Sequence, residues 1–207
     1  MSDADRQKWN THYAAGSYAS REHSSALLAE HLAQLPRGCA LDLACGAGRN
    51  ALFLAAAGFD VDAVDISPVA LERARQSAEK RDLDVNWIEA DLESGRGGPW
   101  TQRCYDLIVI VRYVNLELMR SLTTQLNVGG YMLAEQHLTT KRSVIGPANP
   151  AFRLKPNELL HAADKLRIIS YREAIVQDPD NRLAALAQLI ACREPASFDM
   201  LDDESAS

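Results

Sequence analysis

No apolar stretch in these 207 residues approaches the length of a membrane span; the strongest, 107–111, is only a strand's worth. Cysteine is scarce too: Cys39, Cys45, Cys104 and Cys192 form no CxxC pair and no cluster with histidine, so no zinc site is expected. A basic stripe is missing, with 22 Lys and Arg against 28 Asp and Glu and a formal net charge of −6, which argues against a nucleic-acid partner. The first residues, Met1-Ser2-Asp3-Ala4-Asp5-Arg6, lack the basic and apolar segments of a signal peptide, so a cytoplasmic location is expected, with no membrane partner. What is present, 47% hydrophobic and 24% charged residues, suits one well-filled globular core.

The chain is organised around residues 38–66. An apolar strand over 39–44 runs into the small-residue turn Cys45-Gly46-Ala47-Gly48. A helix over 50–57 stops at Gly58, and a second strand over 60–64 ends in Asp65. Strand, glycine turn, helix, strand and acid make the first half of a nucleotide-binding βαβ unit. Asp65 lies nineteen residues after Gly46, where a carboxylate can reach ribose hydroxyls. Gly46-x-Gly48-x-x-Ala51 also fits a dinucleotide fingerprint. Asp42 tips the balance. Near a pyrophosphate it would repel the ligand, whereas it suits the cationic amino-acid end of S-adenosylmethionine. It could instead, or in addition, accept hydrogen bonds from the turn backbone. Cys45 is a small residue that could line the same pocket.

Residues 9–20 are aromatic-rich and read as turns, with Trp9, Tyr13 and Tyr18 packing on the sheet or folding over a ligand. Leu27, Leu28, His31, Leu32 and Leu35 recur at helical spacing over 22–35. Ser67 and Pro68 cap and open a helix to about residue 80. Strands are expected over 84–90, 105–111 and 131–137, with a crossover helix over 115–126 and a turn at 128–130. The result is an α/β, doubly wound parallel sheet. Residues 139–157 form a long polar connection to a short helix over 157–163. Segments 166–176 and 182–192 then suggest a hairpin, a terminal helix being the alternative for the second.

Leu41-Asp42-Leu43-Ala44-Cys45-Gly46-Ala47-Gly48 resembles the first motif of the class I S-adenosylmethionine-dependent methyltransferases, with Ala44 where glycine is usual. Val64-Asp65-Ile66-Ser67 resembles the second, Ala90-Asp91-Leu92 the adenine-edge motif and Tyr105-Asp106-Leu107-Ile108 the fourth-strand motif. The resemblance covers residues 25–192 and implies a Rossmann-like seven-stranded sheet with an antiparallel C-terminal strand. It implies S-adenosyl-L-methionine as cofactor, with Asp65 on the ribose, Ile66 on adenine and Asp91 near its exocyclic amine. Candidate cofactor residues are therefore Asp42, Ala44, Cys45, Gly46, Gly48, Asn50, Asp65, Ile66, Asp91 and Leu92. The implied organisation is an N-terminal segment and lid at 1–20, a methyltransferase domain at 21–196 and a flexible acidic tail at 197–207.

Gly48-Arg49-Asn50-Ala51, Tyr105-Asp106-Leu107-Ile108, the run from Asn149 to Leu160, and the early Trp9 and Tyr13 are similar to the tellurite-resistance branch of that family. That likeness implies a small methyl acceptor, including soft chalcogen oxyanions and thiols. On the acceptor side, Arg112 could attract an anion, and Tyr113 could line or hydrogen-bond the acceptor. Glu135 and His137 alternate on one strand face, and His137 is the candidate general base. Each has a plainer role: Arg112 as an ion-pair residue, Tyr113 as a packed edge, His137 as a loop hydrogen-bonder. Two other functions remain open, an NAD(P)-dependent oxidoreductase and a non-catalytic nucleoside-binding protein.

Overall fold

Tyr105-Asp106-Leu107-Ile108-Val109-Ile110-Val111 is apolar apart from Asp106, and it becomes the strand around which the sheet is built. Ile108 and Ile110 enter one core layer and Leu107 and Val109 the other, so the period of two is visible within one segment. The computed structural model describes residues 3–16, 21–95, 98–178 and 180–195. The strands are β1 (Cys39–Leu43), β2 (Asp60–Asp65), β3 (Asn86–Glu89), β4 (Tyr105–Val111), β5 (Leu126–His137), β6 (Arg167–Gln177) and β7 (Leu183–Cys192). They form one sheet in the order β3-β2-β1-β4-β5-β7-β6. The first five pair in parallel, and β7 runs antiparallel to both β5 and β6. This is the expected Rossmann-like fold with its antiparallel C-terminal strand.

The helices are α1 (Asp3–Ala14), α2 (Ala26–His31), α3 (Arg49–Ala56), α4 (Pro68–Glu79), α5 (Leu116–Leu122) and α6 (Glu158–Ala162). Ser67 caps α4 by accepting from the Ala70 N–H at 3.2 Å, with Pro68 in the first turn as its sequence suggests. Strand order reverses between β1 and β4, which opens a crevice at their carboxyl ends, where open α/β sheets take ligands. At the opposite edge, the Cys39 N–H and Asn127 Nδ2 donate to the two oxygens of Asp106, and the Tyr105 hydroxyl donates to Asp62 at 2.6 Å. Asp106 therefore ties strand starts together, far along β4 from the crevice.

Two local expectations are corrected. Residues 9–14 are helical, not turn-like: acidic Asp3 and Asp5 in the first turn and His12 in the last match the helix dipole of α1. The crossover helix ends early, at Leu122, and β5 begins at Leu126; the Gly129-Gly130 pair is an irregularity within the strand, where the β4–β5 register shifts. The expected hairpin is present, and its second segment is a strand and not the alternative helix, because Ala184 to Ala191 are buried on both faces between β5 and β6. Tyr18 and the 197–207 tail lie outside the described residues. Among the described residues no helix is long and apolar enough to cross a membrane, and no cluster of three His, Cys, Asp or Glu is placed to hold a metal.

Candidate functional site

The glycine turn is shaped by backbone that side chains resist. Gly46 and Gly48 have φ of +57° and +79°. Ala44 shares the left-handed region at φ +53°, so its methyl group sits where glycine would be unstrained. Gly48 also admits the Trp87 ring, which a Cβ would approach to 2.6 Å. The turn closes through the Gly48 N–H on the Cys45 carbonyl at 3.0 Å, and the Cys45 N–H reaches Val64 O at 3.1 Å across to β2. Burial pushes the Cys45 thiol well up, so Cys45 stays a neutral wall residue.

Two carboxylates converge on this turn. Asp42, 1% exposed on β1, accepts the Ala51 N–H at 3.0 Å and so satisfies a free donor in the first turn of α3. Burial pushes its pKa up to about 7, opposed by that N–H and by the Arg49 charge. Asp65, at the end of β2, accepts the Gly46 N–H on one oxygen at 2.8 Å and the Ser67 N–H on the other at 2.9 Å. Burial raises its pKa as well. Asp65 thus builds the turn while standing beside it, with the Ile66 N–H as a further backbone donor.

Of the remaining cofactor candidates, Ile66 and Leu92 are buried beside the ends of β2 and β3. Asp91 is half-buried just beyond β3, with one oxygen accepting the Glu93 N–H at 2.8 Å. Asn50 points elsewhere: its Oδ1 accepts the Ser25 N–H at 2.9 Å and joins α3 to the start of α2. The plainer reading of Asp42, a carboxylate serving backbone, is therefore realised through one of its oxygens.

The acceptor-side candidates separate into two places. Arg112 follows β4 with φ +62°, and its guanidinium is sandwiched between Glu135, at 3.4 Å, and Asp178. Glu135 also accepts from Gln188 Nε2 at 2.8 Å, and Gln188 in turn accepts from Arg172. His137 is 6% exposed, and burial with the nearby Arg112 and Arg153 charges pushes its pKa down to about 4. The 139–157 connection covers it: a Cβ on Gly146 would come within 2.8 Å of His137 Nδ1 and 2.9 Å of Arg153 Nη2. Tyr113 turns away from this group and donates to Glu93 at 3.2 Å. It lines a shallow depression with Ile110, Met119 and Gln136. Gln136 Nε2 reaches Ile110 O at 3.2 Å, and its buried Oε1 has no partner among the described residues.

Sequence reading did not foresee Asp178 as the second partner of Arg112, sixty-six residues away, because no local pattern links them. Nor did it place Asn10 on Ser67, although the Ser67 hydroxyl donates to Asn10 Oδ1 at 2.7 Å.

Residues 40–130 match the family described as methyltransferase domain. Among curated proteins, the chain is 29% identical over 140 residues to the probable S-adenosyl-L-methionine-dependent methyltransferase TehB of Haemophilus influenzae, covering 64% of this chain and 47% of the relative. A similar stretch is 30% identical to hemagglutinin 1 of Eikenella corrodens, covering 65% of this chain and 46% of that protein. The chain thus spans about half the length of the curated relatives it matches. In fold, it superposes on the crystal structure of TehB from Haemophilus influenzae with a TM-score of 0.67 at 24% identity, over 81% of this chain and 61% of that one. It superposes on magnesium protoporphyrin IX methyltransferase from Synechocystis with bound S-adenosylhomocysteine at a TM-score of 0.62 and 18% identity, over 82% and 81% of the two chains. Those two structural likenesses speak for the fold; the domain match and the curated relatives make the chain similar, at low identity, to S-adenosylmethionine-dependent methyltransferases such as TehB.

Proposed function

We propose that this chain binds S-adenosylmethionine at the glycine turn and transfers its methyl group to a small acceptor. The carrying observation is the pair of carboxylates, Asp42 and Asp65, brought to one glycine turn at the point where strand order reverses. When bound, the cofactor supplies an electrophilic methyl group on a sulfonium. Asp42 offers negative charge to its cationic end, Asp65 offers acceptors to its ribose, and Ile66, Asp91 and Leu92 flank its base. Ala44, Cys45, Gly46 and Gly48 supply the close backbone wall, with Asn50 holding α3 in place behind it.

On the acceptor side the chemistry favours a soft nucleophile that arrives already deprotonated, such as a thiolate, a selenolate or a chalcogen oxyanion. His137, with its pKa near 4, is neutral at physiological pH and a weak base, so proton removal from an alcohol or amine receives little help from it. Arg112 is already paired with two carboxylates and acts mainly by positioning, leaving Tyr113, Asn115 and Gln136 as the polar residues lining the depression at the end of β4.

The test is calorimetry with S-adenosylhomocysteine against NADPH, followed by a methyl-transfer panel of thiols, selenite and tellurite beside alcohols, amines, RNA and protein. Binding of S-adenosylhomocysteine alone, with turnover on soft acceptors, is expected. Binding of NADPH instead, or turnover confined to RNA or protein, would overturn the proposal.

The pH dependence of binding follows from Asp42. Its folded-state pKa is raised, so the carboxylate that attracts a cation is present above about pH 7 and is lost as pH falls through that value. Affinity for S-adenosylhomocysteine, measured by calorimetry, is expected to fall by up to about tenfold per pH unit on the acid side. Asp42→Asn should bind more weakly at high pH and show a flatter profile. A profile equally steep in the variant would take Asp42 out of the charge argument.

A further inference from the structure

We propose that Tyr13 is a cofactor-binding residue, carried onto the glycine turn by α1; this rests on the methyltransferase reading above. A Cβ added at Gly46 would run straight into the Tyr13 hydroxyl oxygen, so that hydroxyl lies against the bare Cα of Gly46. The same Gly46 donates its N–H to Asp65. The hydroxyl therefore sits on the wall where backbone is laid open to a ligand, beside the acid that serves it. A phenol both donates and accepts, which suits a ligand rich in hydroxyl, amino and carboxylate groups.

The placement of Tyr13 does not come from burial in the core, because no residue of α1 is buried. It comes from polar and cationic contacts around the rim of the crevice. Arg6 pairs with Glu89 at the end of β3 at 2.5 Å, and Asn10 accepts from Ser67 at the start of α4. Arg73 donates to the Tyr13 carbonyl at 3.2 Å and places its guanidinium 5.9 Å from the Tyr13 ring centroid. Lys8 lies 5.9 Å from the ring centroid of Phe152, in the 139–157 connection. One helix is thus tied to β3, to α4 and to the acceptor-side connection. A helix held by surface contacts and not by apolar burial can lift at modest free energy, which is the property a lid requires. Tyr13 is the side chain that this lid delivers to the turn.

The experiment compares Tyr13→Phe and Asn10→Ala with the unaltered chain, using S-adenosylhomocysteine as the probe. Calorimetry measures affinity, and hydrogen exchange measures protection of α1 when the probe is added. Direct contact predicts that Tyr13→Phe, which removes one hydroxyl, weakens affinity roughly tenfold. Asn10→Ala, which only loosens the helix, should change affinity less while speeding both association and dissociation in stopped flow followed by Trp9 fluorescence. Unchanged affinity in Tyr13→Phe would overturn the proposal. Equal losses in the two variants would also overturn it, since helix docking alone would then account for both. Failure of the unaltered chain to bind S-adenosylhomocysteine would instead remove the methyltransferase reading, and this role with it.

Discussion

Arg112→Ala is expected to cost the fold about 3–5 kcal/mol, the usual penalty for removing one partner of a buried ion pair. The guanidinium stands between Glu135 and Asp178, and their side chains are 3% and 9% exposed. Without it, two carboxylates face each other across a space too dry to screen them. Arg21, 4.0 Å from Asp178, can offset only one of them, and Glu135 keeps the neutral Gln188 amide as its hydrogen-bond donor, with the Arg49 charge further off. Arg112→Lys should recover part of the loss, because an ammonium restores the charge but cannot reach both acids with a planar fork. The left-handed backbone at φ +62° adds a second control: Arg112→Gly relieves backbone strain while removing the same side chain, so it should be slightly less damaging than alanine. Urea unfolding gives the free energies directly. If Arg112→Ala unfolds at the unaltered denaturant midpoint yet loses turnover on anionic acceptors alone, Arg112 belongs to substrate recognition and the ion-pair account is wrong.

Asp65→Ala should lose both stability and cofactor affinity. From sequence, Asp65 is a ligand-facing acid whose removal disturbs binding more than folding. The structure gives it intramolecular backbone donors, the Gly46 and Ser67 N–H groups at 2.8 and 2.9 Å with the Ile66 N–H beside them. Alanine would leave them without an acceptor in a buried turn, at roughly 1–3 kcal/mol for each unsatisfied group. Asp65→Asn separates the two effects, since its amide oxygen still accepts from one N–H and its NH2 replaces the second acceptor. The asparagine variant is therefore expected to remain folded, with a smaller stability loss, and to bind S-adenosylhomocysteine more weakly by about 1.5–3 kcal/mol, the worth of hydrogen bonds to a charged group. Thermal unfolding and calorimetry on the same samples measure the two quantities. Full affinity in a folded Asp65→Asn protein would reassign Asp65 to a purely architectural role.

The sheet was legible because its signals are local. β4 announces itself as an unbroken apolar run that needs cover on both faces, and β1, the glycine turn, α3 and β2 follow one another without interruption. The acids of the site were legible for the same reason: Asp42 and Asp65 are marked by their place at strand ends, where a carboxylate among apolar neighbours needs a partner. The hairpin β6–β7 was read from two β-rich segments around a polar turn, but its choice over a terminal helix depended on β5, whose edge β7 fills.

By itself, then, the sequence determined the order of strands and helices from β1 to β5, the glycine turn and the acids that flank it, because each depends on neighbours within one or two elements. Only the tertiary structure decided what those acids bond to and what surrounds Arg112, Tyr113 and His137. Asp178 reaches Arg112 across sixty-six residues and turns a free cation into the centre of a buried pair. The covering connection at Gly146 and the charges of Arg112 and Arg153 make His137 a weak base, where its ordinary pKa would have made it a strong candidate. Tyr13 meets Gly46 only because α1 folds back over the sheet edge. Burial and electrostatic environment are properties of packing between distant segments, and no periodicity within a segment encodes them.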